Sequence, residues 1–140
     1  MTTADDQALA ERVTAAMMAK DELSRQFGME IVEVHPNAAT VRMRVRKDML
    51  NGFGVCHGGV TFSLADSALA FASNTHGRVT VSIENSMTYP KKVVEGDVLT
   101  AEAEQESGST RLAFFRVAVR RDPGDIVALF RGTVYKTDNP

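Results

Sequence analysis

Residues 57–75, HGGVTFSLADSALAFASNT, decide how this chain folds. The stretch shows no alternation of period two and is dense in Leu, Ala, Phe and Ser on nearly every side. Such a segment reads as a helix buried in a core rather than an amphipathic surface helix. His76-Gly77 stops it. Outward from this helix the pattern changes. Val79, Val81, Ile83 and Met87 alternate with Thr80, Ser82, Glu84 and Thr88, and Leu99, Ala101 and Ala103 with Thr100, Glu102 and Glu104. Residues 111–120 and 126–136 make two more strands, joined by the turn Asp122-Pro123-Gly124-Asp125.

On the N-terminal side, Val41, Met43 and Val45 alternate with Arg42, Arg44 and Arg46, so this strand presents one solvated basic face. Residues 29–34 form the strand before it, with Pro36-Asn37 as the turn between. From Ala4 to Phe27, Leu9, Val13, Met17, Leu23 and Phe27 recur near helical spacing, which predicts one amphipathic helix ended by Gly28. The order is α-β-β-α-β-β-β-β. Short connections favour an antiparallel sheet, and the simplest burial of the central helix curls that sheet around it. The fold class is α+β. The expected organisation is one domain over 1–140, with an N-terminal helix (1–27) and a core (28–140). An open sheet edge is readily closed by a second copy, which predicts a homo-oligomer.

The chain has 140 residues, 44% hydrophobic and 24% charged, so neither disorder nor low complexity applies. A net charge of -2 argues against a protein that chiefly binds nucleic acid. The lone cysteine, Cys56, excludes an intrachain disulfide and any Cys-based metal cluster. No two histidines have ligand spacing, so no metal is expected. No apolar run reaches membrane-spanning length and no secretory signal is visible. A cytoplasmic protein off the membrane is the expectation.

Chemistry concentrates between residues 51 and 66. Gly58 and Gly59 open a helix, where their propensity is poor, but bare N–H groups at a helix start can receive a developing oxyanion. Tight helix–sheet packing explains the pair equally well. Asp66 stands in the apolar helix among Leu64, Ala65, Ala68 and Leu69. Burial there raises a carboxyl pKa and suits it to general-base or nucleophilic work. The plainer alternative is a structural Asp bonded to Thr61, Ser63 or Ser67. Eight residues of helix rise roughly 12 Å, so one small carbonyl cannot touch both Gly58 and Asp66 of one chain. If both act on one substrate, Asp66 must come from a second subunit whose helix runs antiparallel alongside. Asn51 can orient water or a carbonyl oxygen, or serve as a plain turn residue. Ser82, on the polar phase of its strand, can bond Asp66 or face solvent. His57 can touch substrate or act locally at the helix start. Lys91, Lys92 and Arg111 stand at strand ends, where phosphates of a nucleotide tail could bind.

At His57-Gly58-Gly59 followed by Ser63-Leu64-Ala65-Asp66, the sequence resembles the PaaI-type phenylacetate-pathway thioesterases of the hotdog superfamily. The resemblance extends from about Phe27 to Tyr135 and takes in Leu50-Asn51-Gly52, Ser82, Glu95-Gly96-Asp97 and 128–132. It implies a hotdog fold, an antiparallel sheet wrapped around the long helix. It also implies a dimer or dimer-of-dimers tetramer with its sites between subunits. Gly58 would supply the oxyanion amide and Asp66 of the neighbour would activate water or attack directly. Asn51, Ser82 and His57 fall on supporting positions, and Gly59 on the substrate-binding loop. The implied substrate is phenylacetyl-CoA or hydroxyphenylacetyl-CoA. CoA enters as part of the substrate, and no cofactor is implied. Where several relatives carry Arg, this chain has Tyr89, and Lys91 and Lys92 would take over its phosphate contacts. Alternatives are a short or medium aliphatic acyl-CoA substrate, an enoyl-CoA hydratase on the same fold, and a non-catalytic acyl-CoA-binding module. The hydratase pattern wants a His a few residues from the Asp on the helix, and the next one here is His76.

Overall fold

The computed structural model describes residues 3–140. Two helices, α1 (Ala4–Lys20) and α2 (Glu22–Gln26), precede the strands β1 (Glu30–His35) and β2 (Ala38–Arg44). The long helix α3 (Gly58–Ser73) follows, and then β3 (Thr80–Thr88), β4 (Val98–Gly108), β5 (Leu112–Arg121) and β6 (Asp125–Lys136). The six strands form one sheet of order β1-β2-β4-β5-β6-β3 with every neighbouring pair antiparallel. α3 packs chiefly against β2, β4 and β5, the middle of that sheet. This is the sheet around a buried helix that the pattern at residues 57–75 predicts, and the hotdog arrangement that the resemblance implies.

Side-chain size explains the close approach. Ala65, Ala68 and Ala72 are fully buried and let the helix backbone come down onto the sheet, while Leu64, Leu69 and Phe71 fill the space around them. The sheet meets them with Val41, Met43, Leu99, Ala101, Val117 and Val119. Each large side chain taken fully out of water contributes about 1.5–3 kcal/mol. The outward phase of the same strands is charged: Arg120 donates to Glu102 at 2.7 Å, and Arg116 pairs with Glu104. Among the described residues no helix is long and apolar enough to cross a membrane.

Two expectations are corrected. The helix predicted from Ala4 to Phe27 is two helices. Asp21 ends α1 and caps α2, with its backbone extended (φ -85°, ψ 91°) and its side chain accepting from the Ser24 N–H at 3.0 Å. A short carboxylate bonding the next backbone amides competes with helix continuation, and here it wins. The second correction concerns β3. Its apolar phase points outward: Val81 is 45% and Ile83 58% exposed, and Thr80 is the buried residue. β3 is an edge strand hydrogen-bonded only to β6, and a bulge between Ser82 and Glu84 shifts its register. Val81 and Ile83 therefore face away from the core, while beyond the bulge Met87 packs against it.

Leu64 touches the helix–sheet core with no exposed surface. Leu64→Ala is expected to lower unfolding stability by about 2–5 kcal/mol, read from urea denaturation.

Candidate active site

The loop between β2 and α3 delivers the helix start. Asn51 organises it: its Oδ1 accepts from the N–H groups of Phe53 (2.9 Å) and Val55 (3.3 Å), and its backbone N–H donates to Val55 O at 2.8 Å. The carboxamide NH2 of Asn51 has no acceptor among the described residues. His57 caps α3, its Nδ1 accepting from the Gly59 N–H at 2.9 Å, and its carbonyl accepts from Val60 N–H at 2.9 Å. Both neighbouring donors are therefore engaged. The Gly58 N–H has no acceptor among the described residues. No acidic residue stands in the first turn of α3, so the positive end of the helix dipole is not neutralised. Gly58 alone thus offers a bare, polarised donor.

Tyr89, just past β3, packs against Gly58. Its hydroxyl donates to Gly58 O at 2.9 Å, and a Cβ built on Gly58 would meet its ring at 3.3 Å. A side chain at 58 would need the Tyr89 ring to give by a few tenths of an ångström, so the contact favours glycine without excluding a larger residue, a preference sequence reasoning did not give it. Beside the pair lies a cleft of about 320 Å³ lined by Val55, Cys56, Thr61, Lys91, Lys92 and Val93. Burial pushes the Cys56 thiol up, so it is no nucleophile at neutral pH.

Asp66 sits two turns further along α3, half-buried. Every hydroxyl that could hold it structurally is occupied elsewhere. Ser63 donates to Gly59 O (2.8 Å), Thr61 pairs with Cys56 Sγ (3.6 Å), and Ser67 pairs with Ser24 (2.7 Å). Burial, and then the like charge of Asp21, push the Asp66 carboxyl above the ordinary aspartate range. A desolvated carboxylate without a hydrogen-bond partner is a basic, reactive one.

The other predicted residues divide. Lys91 and Lys92 line the cleft beside Gly58 as expected. Lys91 Nζ lies 3.4 Å from Asp125, whose own carboxyl is held down to about 2 by Arg121 and then Lys91, while Lys92 has no carboxylate partner among the described residues. Three assignments need correction. Arg111 precedes β5, whereas Arg121 at the far end of that strand donates to Lys92 O at 2.9 Å. Ten residues of strand span roughly 30 Å, so Arg111 cannot share a ligand with the lysines within one subunit. Its guanidinium is held by Asp138 at 2.7 Å. Ser82 does not meet Asp66 of its own chain but donates to Asn85 Oδ1 at 2.8 Å on the exposed edge strand. His57 and Gly59 satisfy each other, which takes the Gly59 N–H out of the set of free donors.

Because the folded-state pKa of Asp66 is raised, the native chain binds the proton more tightly than the unfolded one. Stability therefore falls as pH rises through the window above the ordinary aspartate value of 3.8. Asp66→Asn is expected to raise Tm at pH 7, with the gain vanishing below about pH 4, as read from thermal unfolding at the two pH values.

The thioesterase superfamily model matches residues 53–128, which span the helix start, Asp66, the strands β3 to β5 and the beginning of β6. The acyl-coenzyme A thioesterase PaaI of Escherichia coli is 33% identical over 121 residues, covering 86% of both chains. Its solved structure superposes with a TM-score of 0.93 at 31% identity, covering 95% of this chain and 96% of that one. Human acyl-coenzyme A thioesterase 13 is 31% identical over 137 residues, covering 94% of this chain and 96% of the relative. Family model, sequence and fold agree on one assignment: the chain belongs to the thioesterase superfamily, as a PaaI-type member with the hotdog fold.

Proposed function

We propose that this protein hydrolyses acyl-CoA thioesters, with a phenylacetyl or hydroxyphenylacetyl group as the preferred acyl part, at a site shared by two copies of the chain. The observation that carries the reading is the pairing of one free helix-start amide with one carboxylate that has no structural partner. The Gly58 N–H donates to the thioester oxygen and stabilises the charge that grows there on attack. Asp66 of the neighbouring subunit takes the proton of a water that adds to the carbonyl carbon, or adds there itself. In the water route the tetrahedral intermediate collapses with loss of the CoA thiolate, which leaves with a proton, and the acyl group departs as the free acid. In the direct route the collapse leaves an anhydride between the acyl group and Asp66, which a water then hydrolyses to the free acid and the regenerated carboxylate. Asn51, with its NH2 free, is placed to orient the water or the carbonyl.

Two subunits are needed because roughly 12 Å of helix separates Gly58 from Asp66 in one chain. The open edge of β3, with Val81 and Ile83 outward, supports association with a second copy. Lys91 and Lys92, beside the Gly58 cleft, suit the phosphates of CoA. A thioesterase of Streptococcus pneumoniae, 26% identical and with a TM-score of 0.75, has been solved with coenzyme A. The preference for an aryl-acetyl group, and a place in phenylacetate breakdown, rest on the likeness to PaaI. The hydratase reading is disfavoured by His76, which stands beyond the end of α3 and whose pKa is lowered by burial and then by Lys136 and Arg78.

Thiol release measured over a panel of aryl-acetyl and aliphatic acyl-CoAs tests the reading. Turnover highest on the aryl-acetyl members is expected, and an aliphatic preference would move the substrate assignment. Gly58 is the first residue of α3 and follows an extended His57 (ψ 132°), a setting that accepts proline. Gly58→Pro removes the N–H and is expected to lower kcat by about 10²–10³ with the helix intact by circular dichroism. Wild-type kcat in that variant would eliminate the amide from the mechanism.

A further inference from the structure

The break between α1 and α2 leaves Asp21 at the foot of a hydrogen-bond chain that the thioesterase machinery does not explain. Asp21 Oδ1 accepts from the Ser24 N–H at 3.0 Å, and Oδ2 accepts from the Ser24 hydroxyl at 2.7 Å. Ser24 has no exposed surface, and its Oγ lies 2.7 Å from that of Ser67, itself 7% exposed. Ser24 has already given its one hydroxyl proton to Asp21, so Ser67 must be the donor in the serine pair. The chain has one direction: Ser67 to Ser24 to Asp21. It is the polar joint between α2 and α3, and it grips α3 at the residue next to Asp66.

We propose that Asp21 is a positioning residue for Asp66, holding the turn of α3 that carries the acid through the buried Ser24–Ser67 pair. A purely apolar contact would have bound α2 to α3 without fixing the rotation of that turn. Two directional bonds to buried hydroxyls fix it, and leaving either serine unpaired there would be costly. Asp66 itself has no hydrogen-bond partner among the described residues, so its aim depends on the backbone beneath it.

The same carboxylate also acts on Asp66 through space, as the like charge that raises it after burial. The remaining charges of α2, Glu22 and Arg25, are exposed and lie 3.9 Å from each other. The sheet residues under α3 are apolar.

The inference rests on Asp66 being the acid of the thioesterase, and the experiment separates the two claims. Asp21→Asn keeps an oxygen to cap α2 and removes the charge. Ser67→Ala and Ser24→Ala break the relay and keep the charge. The readouts are the pH profile of kcat/KM and the titration of the Asp66 carboxyl carbon by nuclear magnetic resonance. In Asp21→Asn, Asp66 is expected to titrate at lower pH and the acid limb of the profile to move down with it. The serine variants are expected to keep the acid limb and to lose about tenfold in kcat with KM within about twofold. An Asp66 titration unmoved in Asp21→Asn, or wild-type kcat in both serine variants, overturns the role of Asp21 while leaving hydrolysis standing. Absence of thiol release by the wild-type protein would instead overturn the thioesterase reading, and the role built on it.

Discussion

Everything in this molecule follows from the burial of α3 against the concave face of an antiparallel sheet. That contact needs small residues where helix and sheet touch and large apolar ones around them, and α3 supplies both. It fixes the helix in place, and so it fixes two features far from ordinary for a core helix: a glycine start with a spare amide, and a carboxylate in the middle. A helix free to rock could not hold either at a reacting atom. The loop that Asn51 ties together and the cap that His57 provides are the local devices that finish the helix start.

The same burial explains why one chain does not complete a site. The rigid rod that carries amide and acid also keeps them two turns apart. An open β3 edge with an apolar outer face is the natural place for a second copy, and association there resolves the geometric problem on the proposed reading. Catalytic need and the unsatisfied edge then have one solution. The cost of the arrangement is an acid whose ionised form is disfavoured, and the fold tolerates it because Asp66 is only half-buried.

Much of this was legible in the residues. The absence of alternation over 57–75 gave the buried helix, and the alternation at 99–104 gave the right inward face. The helix rise gave the separation of Gly58 from Asp66. What failed did so for physical reasons. Residues 79–87 alternate in sequence, but periodicity shows neither which face is inward nor the bulge after Ser82, so Val81 and Ile83 point out while Met87 packs against the core. The helix break at Asp21 was hidden because helical spacing of apolar residues persists across it while one side chain diverts the backbone. Arg111 looked equivalent to Lys91 and Lys92 because all three flank strands. Antiparallel order puts the start of β5 at the other end of the sheet. Tyr89 was visible only as a departure from a family pattern, since nothing local tells that its ring rests on Gly58. That Ser67 is spent on Ser24, and so unavailable to Asp66, required the third dimension.

The most direct test of the shared site is complementation between two crippled chains. Gly58→Pro and Asp66→Asn each lack one half of the chemistry, and a hybrid dimer holds one doubly damaged site and one intact site. Co-refolding the two inactive variants in equal amounts is predicted to restore about a quarter of wild-type thiol release, as statistical pairing gives. Hybrids that form by mass spectrometry yet stay inactive would contradict the account.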